Sequence, residues 1–172
     1  ARRSAADDHG LSVLFTTFVK TLPPVFENLY NRMPDCVPGA VEFVHIHKLA
    51  YQVCRAAGDN PWVNMSAVTE ASKAAFKQVV RAGTPLGDDG IDRSYLEAEV
   101  RAVIKGRGIR SLEEYLKVLR TGRGTRFDPS RRRQAWDYMK EWDAGMAQRD
   151  TLDFADTITR AVEHAQGFTG PW

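Results

Sequence analysis

The apolar residues of this chain first fall in short runs and then, from Ser66 onward, at helical spacing. Leu11 to Phe18 (LSVLFTTF) is β-branched, aromatic and Thr-rich without strict alternation, which predicts a strand buried on both faces in a parallel sheet. Thr21 is placed to cap a helix whose first turn tolerates Pro23 and Pro24, because those positions have no intrahelical acceptor to lose. Leu22, Val25, Phe26, Leu29, Tyr30 and Met33 then recur on one helix face, and PDCVPG ends the pattern. Val41 to Ile46 (VEFVHI) reads as a second strand, followed by Ile46, Leu49, Ala50, Val53 and Ala57 at helical spacing as far as Gly58. Two strands separated by one helix predict a parallel βαβ crossover, yet two strands alone make a poor sheet.

The remainder reads as helices with clear punctuation. Ser66 starts one that turns Val68, Ala71, Ala75, Phe76 and Val79 inward and aligns Lys73, Lys77 and Arg81 on another face. Asp92 caps the next, with Leu96, Val100 and Val103 inward and Gly106 as its stop, after a GDDGID turn rich in capping residues. Ser111 and Glu114 form a capping-box pattern for a short helix through Leu119, ended at TGRG. Asp128 and Pro129 open a long helix striped by Trp136, Met139, Trp142 and Met146. A last helix places Leu152, Ala155, Ile158, Val162 and Ala165 on its buried side. The fold class expected is therefore mainly α with a short parallel β element of two strands.

Composition adds little to that picture, and charge distribution adds more. The 172 residues are 43% apolar, enough for one real core. No apolar run approaches the ~18 residues of a membrane span, so no membrane partner and a cytoplasmic location are expected. Cys36 and Cys54 have no CxxC spacing and read as reduced packing residues. The net charge of +2 hides an asymmetry: residues 101–133 hold eleven Lys and Arg against three acids, a block of +8. Such a block suits a polyanion, because each cation set against a phosphate releases condensed counterions; a merely solvated face is the competing reading.

Candidate chemistry is sparse. The phosphate loop GxxxxGK[ST] is absent, since Gly-Lys occurs nowhere, and no apolar run ends in Asp-Glu, so no ATP or Mg²⁺ site is expected within these residues. His45 and His47 form an HxH that would share one side of a strand, but no third and fourth metal ligand is evident. No strand-turn-helix motif surrounds a Ser, which argues against a nucleophilic hydrolase. Asp153 and Asp156 in LDFADTITRA read as first-turn helix acids, with Asp156 paired to Arg160 four residues on.

Three segments in order resemble the UvrD/Rep/PcrA-like superfamily 1 DNA helicases. VLFTTFVKTL (Val13 to Leu22) resembles motif Ia, VHIHKLA (Val44 to Ala50) resembles motif Ib, and LDFADTITRA resembles the segment by which the chain returns from a helical insert to the first motor domain. The roughly 100-residue helical stretch between the last two sharpens the match, which spans nearly the whole chain. The resemblance implies a partial RecA-like motor domain 1A over residues 1–59, a helical insert subdomain 1B over 60–150 and a return helix over 151–172. It also implies a segment of a longer protein, whose nucleotide loop would precede motif Ia and whose Asp-Glu strand would follow the LDF segment. ATP and Mg²⁺ would then belong to the parent helicase, an ATP hydrolase of DNA repair or a related process.

Carried over residue by residue, the resemblance makes Thr17, Phe18 and His47 contacts to single-stranded DNA. Val19 departs from a usual polar residue, His45 stands where Thr is common, and Lys48 stands where Ser is common and itself favours phosphate. Two readings remain for Phe18, stacking on a base or packing in a core. In the insert, Arg107, Arg110, Arg123, Arg126, Arg131 and Arg132 are expected to contact the DNA backbone. The expected partners are single-stranded or partly duplex DNA and the remaining motor domains. Dimerisation through uncovered strand edges is also expected of the isolated segment. A freestanding helical DNA-binding or protein-interaction module is the alternative.

Overall fold

In a computed structural model, described here for residues 13–122 and 124–165, the chain is mainly helical with one two-stranded parallel sheet. The order is β1 (Val13–Thr17), α1 (Leu22–Asn31), β2 (Val41–His45), α2 (Ile46–Ala56), α3 (Met65–Val79), α4 (Pro85–Asp88) and α5 (Arg93–Glu99). A wide π-type turn (Val100–Ile104) and a 3-10 turn (Lys105–Arg107) follow, then α6 (Leu112–Lys117), α7 (Pro129–Ala147) and α8 (Phe154–His164). The described residues fall into two units, Pro61–Thr159 forming one and the residues before and after it the other.

In the smaller unit, β1 and β2 pair in parallel with Val13 opposite Val41 and Thr17 opposite His45, and α1 is the crossover. Phe15 packs against Phe26 of α1 at 4.8 Å and Phe43 of β2 at 5.3 Å, while Tyr30 meets Phe43 at 5.8 Å. The parallel crossover matches the sequence reading, but burial on both faces does not. No residue of β1 is buried and Val13 is 53% exposed, because a sheet of two strands presents one face to its crossover helix. The apolar face of α1 splits for the same reason: Phe26 and Tyr30 reach the sheet, and Val25, Leu29 and the following Met33 are exposed. Thr21 takes the N-cap position without a side-chain bond, so Pro23 and Pro24 set the start of α1 unaided.

The helical unit is built on α3 against α7. Val68, Ala71 and Ala75 from α3 meet Ala135, Tyr138, Trp142 and Met146 from α7, with Leu86, Leu96, Val100, Val103 and Ile104 completing the core. Small residues let the two helices approach: a Cβ on Gly145 would stand 3.1 Å from the Ala71 methyl. Three caps follow the sequence: Asp92 accepts from the Tyr95 amide, Ser111 from Glu114 and Asp128 from Arg131. The helix expected to start at Ser66 is capped instead by Asn64, which accepts from the amides of Ser66 and Ala67. The capping box at Ser111 is half formed, because Glu114 Oε2 accepts from the Arg110 amide. The stop expected at Gly106 falls at Gly108, whose φ of +64° suits glycine. Gly106 serves close approach instead, a Cβ there lying 2.5 Å from the Arg101 carbonyl oxygen.

α8 departs most from its pattern. Leu152 and the buried Asp153 precede the helix, Val162 is exposed, and the buried positions within it are Thr157 and Ala161. Asp156 pairs with Lys105, not Arg160, and Arg160 pairs with Asp59 at 3.2 Å. Ala155 and Ile158 are half-buried, so the helix keeps part of its expected face while the carboxylate of Asp156 turns to the buried lysine.

Candidate nucleic-acid interface

The parallel register carries Thr17 and His45 to the same carboxyl end of the sheet. His45 Nε2 donates to the Phe18 carbonyl at 2.9 Å, and Thr17 Oγ1 accepts from the Val19 amide at 3.1 Å. These two bonds fix the backbone on either side of Phe18, whose ring is 77% exposed. The core reading of Phe18 is thereby removed for this unit.

His45 closes β2 and His47 lies in the first turn of α2, so the pair does not share a strand. Their rings stack nonetheless, with centroids 4.9 Å apart and planes 26° from parallel. Face-to-face rings do not converge on a common ion, and among the described residues no cluster of three or more His, Cys, Asp or Glu could hold a metal. Burial, with His45 beside it, holds the His47 imidazole below the ordinary histidine value. Lys48 is exposed one residue further along α2. The first-turn amides of α2 have no intrahelical acceptors, and they open at the carboxyl end of β2, the edge where open α/β sheets take ligands. The structure therefore gathers Thr17, Phe18, His47 and Lys48 and adds His45, which the sequence reading noted as half of an HxH pair and as a departure from the motif but did not count among the DNA contacts.

In the helical unit the basic block separates into cations that build the fold and cations on the surface. Lys105 turns inward to Asp143 at 2.8 Å, Asp153 at 3.2 Å and Asp156 at 2.7 Å. Arg120 is held by the buried Glu99, Nε to Oε1 at 2.6 Å and Nη2 to Oε2 at 2.9 Å, with the Tyr115 hydroxyl donating to the same carboxylate at 2.7 Å. Arg131 is paired with Asp89 and Asp128. Arg132 Nη1 donates to the carbonyls of Tyr115, Leu116 and Val118, closing the C-terminus of α6. Arg107 is exposed although its Nη1 donates to the Leu119 carbonyl at 2.6 Å. Arg110 and Arg126 are exposed and make no ion pair with a described residue, and Arg123 lies outside the described residues.

The cluster around Lys105 escaped the sequence reading. Its signal was the pair Asp153 and Asp156, but the cation that meets them stands 48 and 51 residues away. Burial pushes the Asp156 carboxyl up to about 6, reinforced by Asp153 and opposed by Lys105. Burial opposes the charge on Lys105, yet the three carboxylates outweigh it and hold the ammonium above the ordinary lysine value. This arrangement ties the segment before α8 to the turn after α5, with one ammonium set among three carboxylates.

Compared with protein-family models, curated proteins and solved structures, the chain matches none.

Proposed function

We propose that the chain is a segment of the first motor domain of a UvrD/Rep-type superfamily 1 DNA helicase, contributing surface that binds single-stranded DNA. The observation that carries this reading is the gathering of Thr17, Phe18, His45, His47 and Lys48 at the carboxyl end of a parallel βαβ unit. Thr hydroxyl, imidazole and ammonium suit phosphate, and an exposed Phe on a braced backbone suits a base. The sequence has neither a GxxxxGK[ST] loop nor an Asp-Glu strand end. These residues do not fit ATP or Mg²⁺, and that chemistry belongs in this proposal to the remainder of the parent protein.

Fluorescence anisotropy with a labelled oligothymidylate tests the reading. The chain is expected to bind at low salt with steep salt dependence, and Phe18→Ala to weaken binding about 5- to 150-fold, the equivalent of ~1–3 kcal/mol. Absence of binding at low salt overturns it. A second reading, a helical nucleic-acid or protein-interaction module without a motor, draws on the self-contained core of Pro61–Thr159. It predicts that Phe18→Ala and His47→Ala leave DNA binding unchanged while loss of exposed arginines in the helical unit removes it.

A further inference from the structure

Between the C-terminus of α6 and the N-terminus of α7 lies a cleft of about 420 Å³, with three arginines on its walls: Arg120, Arg126 and Arg132. That volume falls within the usual range of small-ligand sites. The three guanidinium groups have different freedom. Arg120 has a side chain only 5% exposed, is neutralised by Glu99, and lies 4.1 Å above the Phe127 ring. Its Nη1 also donates to the Thr125 carbonyl at 2.8 Å, which anchors the residue just before Arg126. It is a rigid wall whose donors are already engaged. Arg132 has Nε and Nη1 directed to main-chain carbonyls, and its Nη2 makes no bond to a described residue. Arg126 is exposed, lines the same cleft and pairs with no described acid.

The one acid on the cleft wall, Asp128, is occupied by the α7 cap. It accepts from the Arg131 amide at 2.9 Å and the Ser130 hydroxyl at 2.8 Å, and it pairs with the Arg131 guanidinium. The cleft therefore keeps an excess of positive charge with one guanidinium free to move and a second donor held in place. We propose that this cleft is a phosphate site, in which Arg126 closes over a backbone phosphate of single-stranded nucleic acid while Arg132 Nη2 donates to it from the wall. The planar fork of arginine suits the oxygens of a phosphodiester. The proposal rests on the nucleic-acid reading above and adds to it a defined position for one phosphate within the helical unit. It also separates Arg126 and Arg132 from Arg131, whose guanidinium is taken by Asp89 and Asp128.

The test uses the full chain, with Arg126→Glu and Arg126→Lys variants whose thermal melts match the parent because the side chain is exposed. In anisotropy titrations against a 20-nucleotide oligothymidylate, Arg126→Glu is expected to bind about tenfold more weakly at low salt. Its slope of log affinity against log salt is expected to fall by about one, with Arg126→Lys keeping the slope. Side-chain NMR of the arginine Nε groups is expected to show Arg132 shifting on addition of the same oligonucleotide. If the parent chain binds and Arg126→Glu binds equally with the same slope, the cleft proposal fails and the nucleic-acid reading stands. A shift of Arg132 with inorganic phosphate but not with oligonucleotide overturns the nucleic-acid assignment of the cleft. If the parent chain does not bind at all, the broader reading fails and this proposal with it.

Discussion

The two units differ in which large side chains they bury, although the helical unit too leaves Trp62 and Leu119 exposed. In the helical unit Trp142, Tyr138 and Tyr115 are fully buried and each polar tip has a partner: Trp142 Nε1 donates to the Val68 carbonyl, Tyr138 meets Ser72, and Tyr115 donates to Glu99. In the βαβ unit the fully buried side chains are smaller, Val44 and Cys54 among them, and Val13, Phe18, Val19, Val25, Leu29, Met33 and Val37 are exposed. A unit that buries aromatics with satisfied polar atoms holds one arrangement firmly. A two-stranded layer with these apolar residues in water draws less from burial, and the candidate interface is built on that layer. The comparison teaches that the firmly packed core lies in the helical unit, while Phe18, the residue proposed to stack on a base, lies on the less buried layer.

Substitutions of comparable residues in the two units should differ most. Trp142→Ala opens a cavity in the helical core and removes the indole donor to the Val68 carbonyl, so a loss of ~3–5 kcal/mol is expected in chemical denaturation. Phe15→Ala, which removes contacts to Phe26 and Phe43 at a half-buried site, is expected to cost ~1–2 kcal/mol. Equal losses would mean that the layer is as firmly packed as the bundle, and the comparison would break there.

Proton linkage at Asp156 provides a smaller and more selective effect in the helical unit. Asp156 faces Lys105, Asp153 and Asp143, and its carboxyl is pushed up to about 6 from the ordinary carboxylate value near 3.8. An acid raised in the fold binds its proton more tightly there than in the unfolded chain. Its ionised form therefore opposes folding above pH 6, and stability rises as the pH falls from about 6.5 toward 4. The gain is on the order of 1 kcal/mol, since the carboxyl stays partly open to water. Thermal melts from pH 7.5 to 5 should show it, and Asp156→Asn should flatten the profile; a profile unchanged by that substitution would remove Asp156 as its source.

How much of this was legible depended on the range of the interaction. The caps at Asp92, Ser111 and Asp128 join residues three positions apart, and each was visible in the sequence. The βαβ unit was visible too, because strand runs and a proline-led helix are local signals. The sequence could not show that β1 would have one covered face, since that depends on how many strands flank it. Nor could it show the partners of the cations: Lys105 meets acids 38 to 51 residues away, and Arg132 serves carbonyls up to 17 residues back. Charge density located the basic block, and only packing distinguished Arg120, Arg131 and Arg132, engaged by the fold, from Arg110 and Arg126 on its surface.

The smallest expected effect on stability belongs to the residue that matters most to the proposed interface. Phe18 follows β1 directly, its ring is 77% exposed, and the bonds that brace this turn are made by the Phe18 carbonyl and the Thr17 hydroxyl. Truncating the ring removes neither bond, so Phe18→Ala should change folding stability by no more than about 0.5 kcal/mol. On the proposed reading this exposed ring stacks on a base, so its loss is expected to lower DNA affinity with little change in folding. If Phe18→Ala lowers stability as much as Phe15→Ala does, the ring packs within the layer after all, and the division between folding residues and binding residues fails at the site proposed for it.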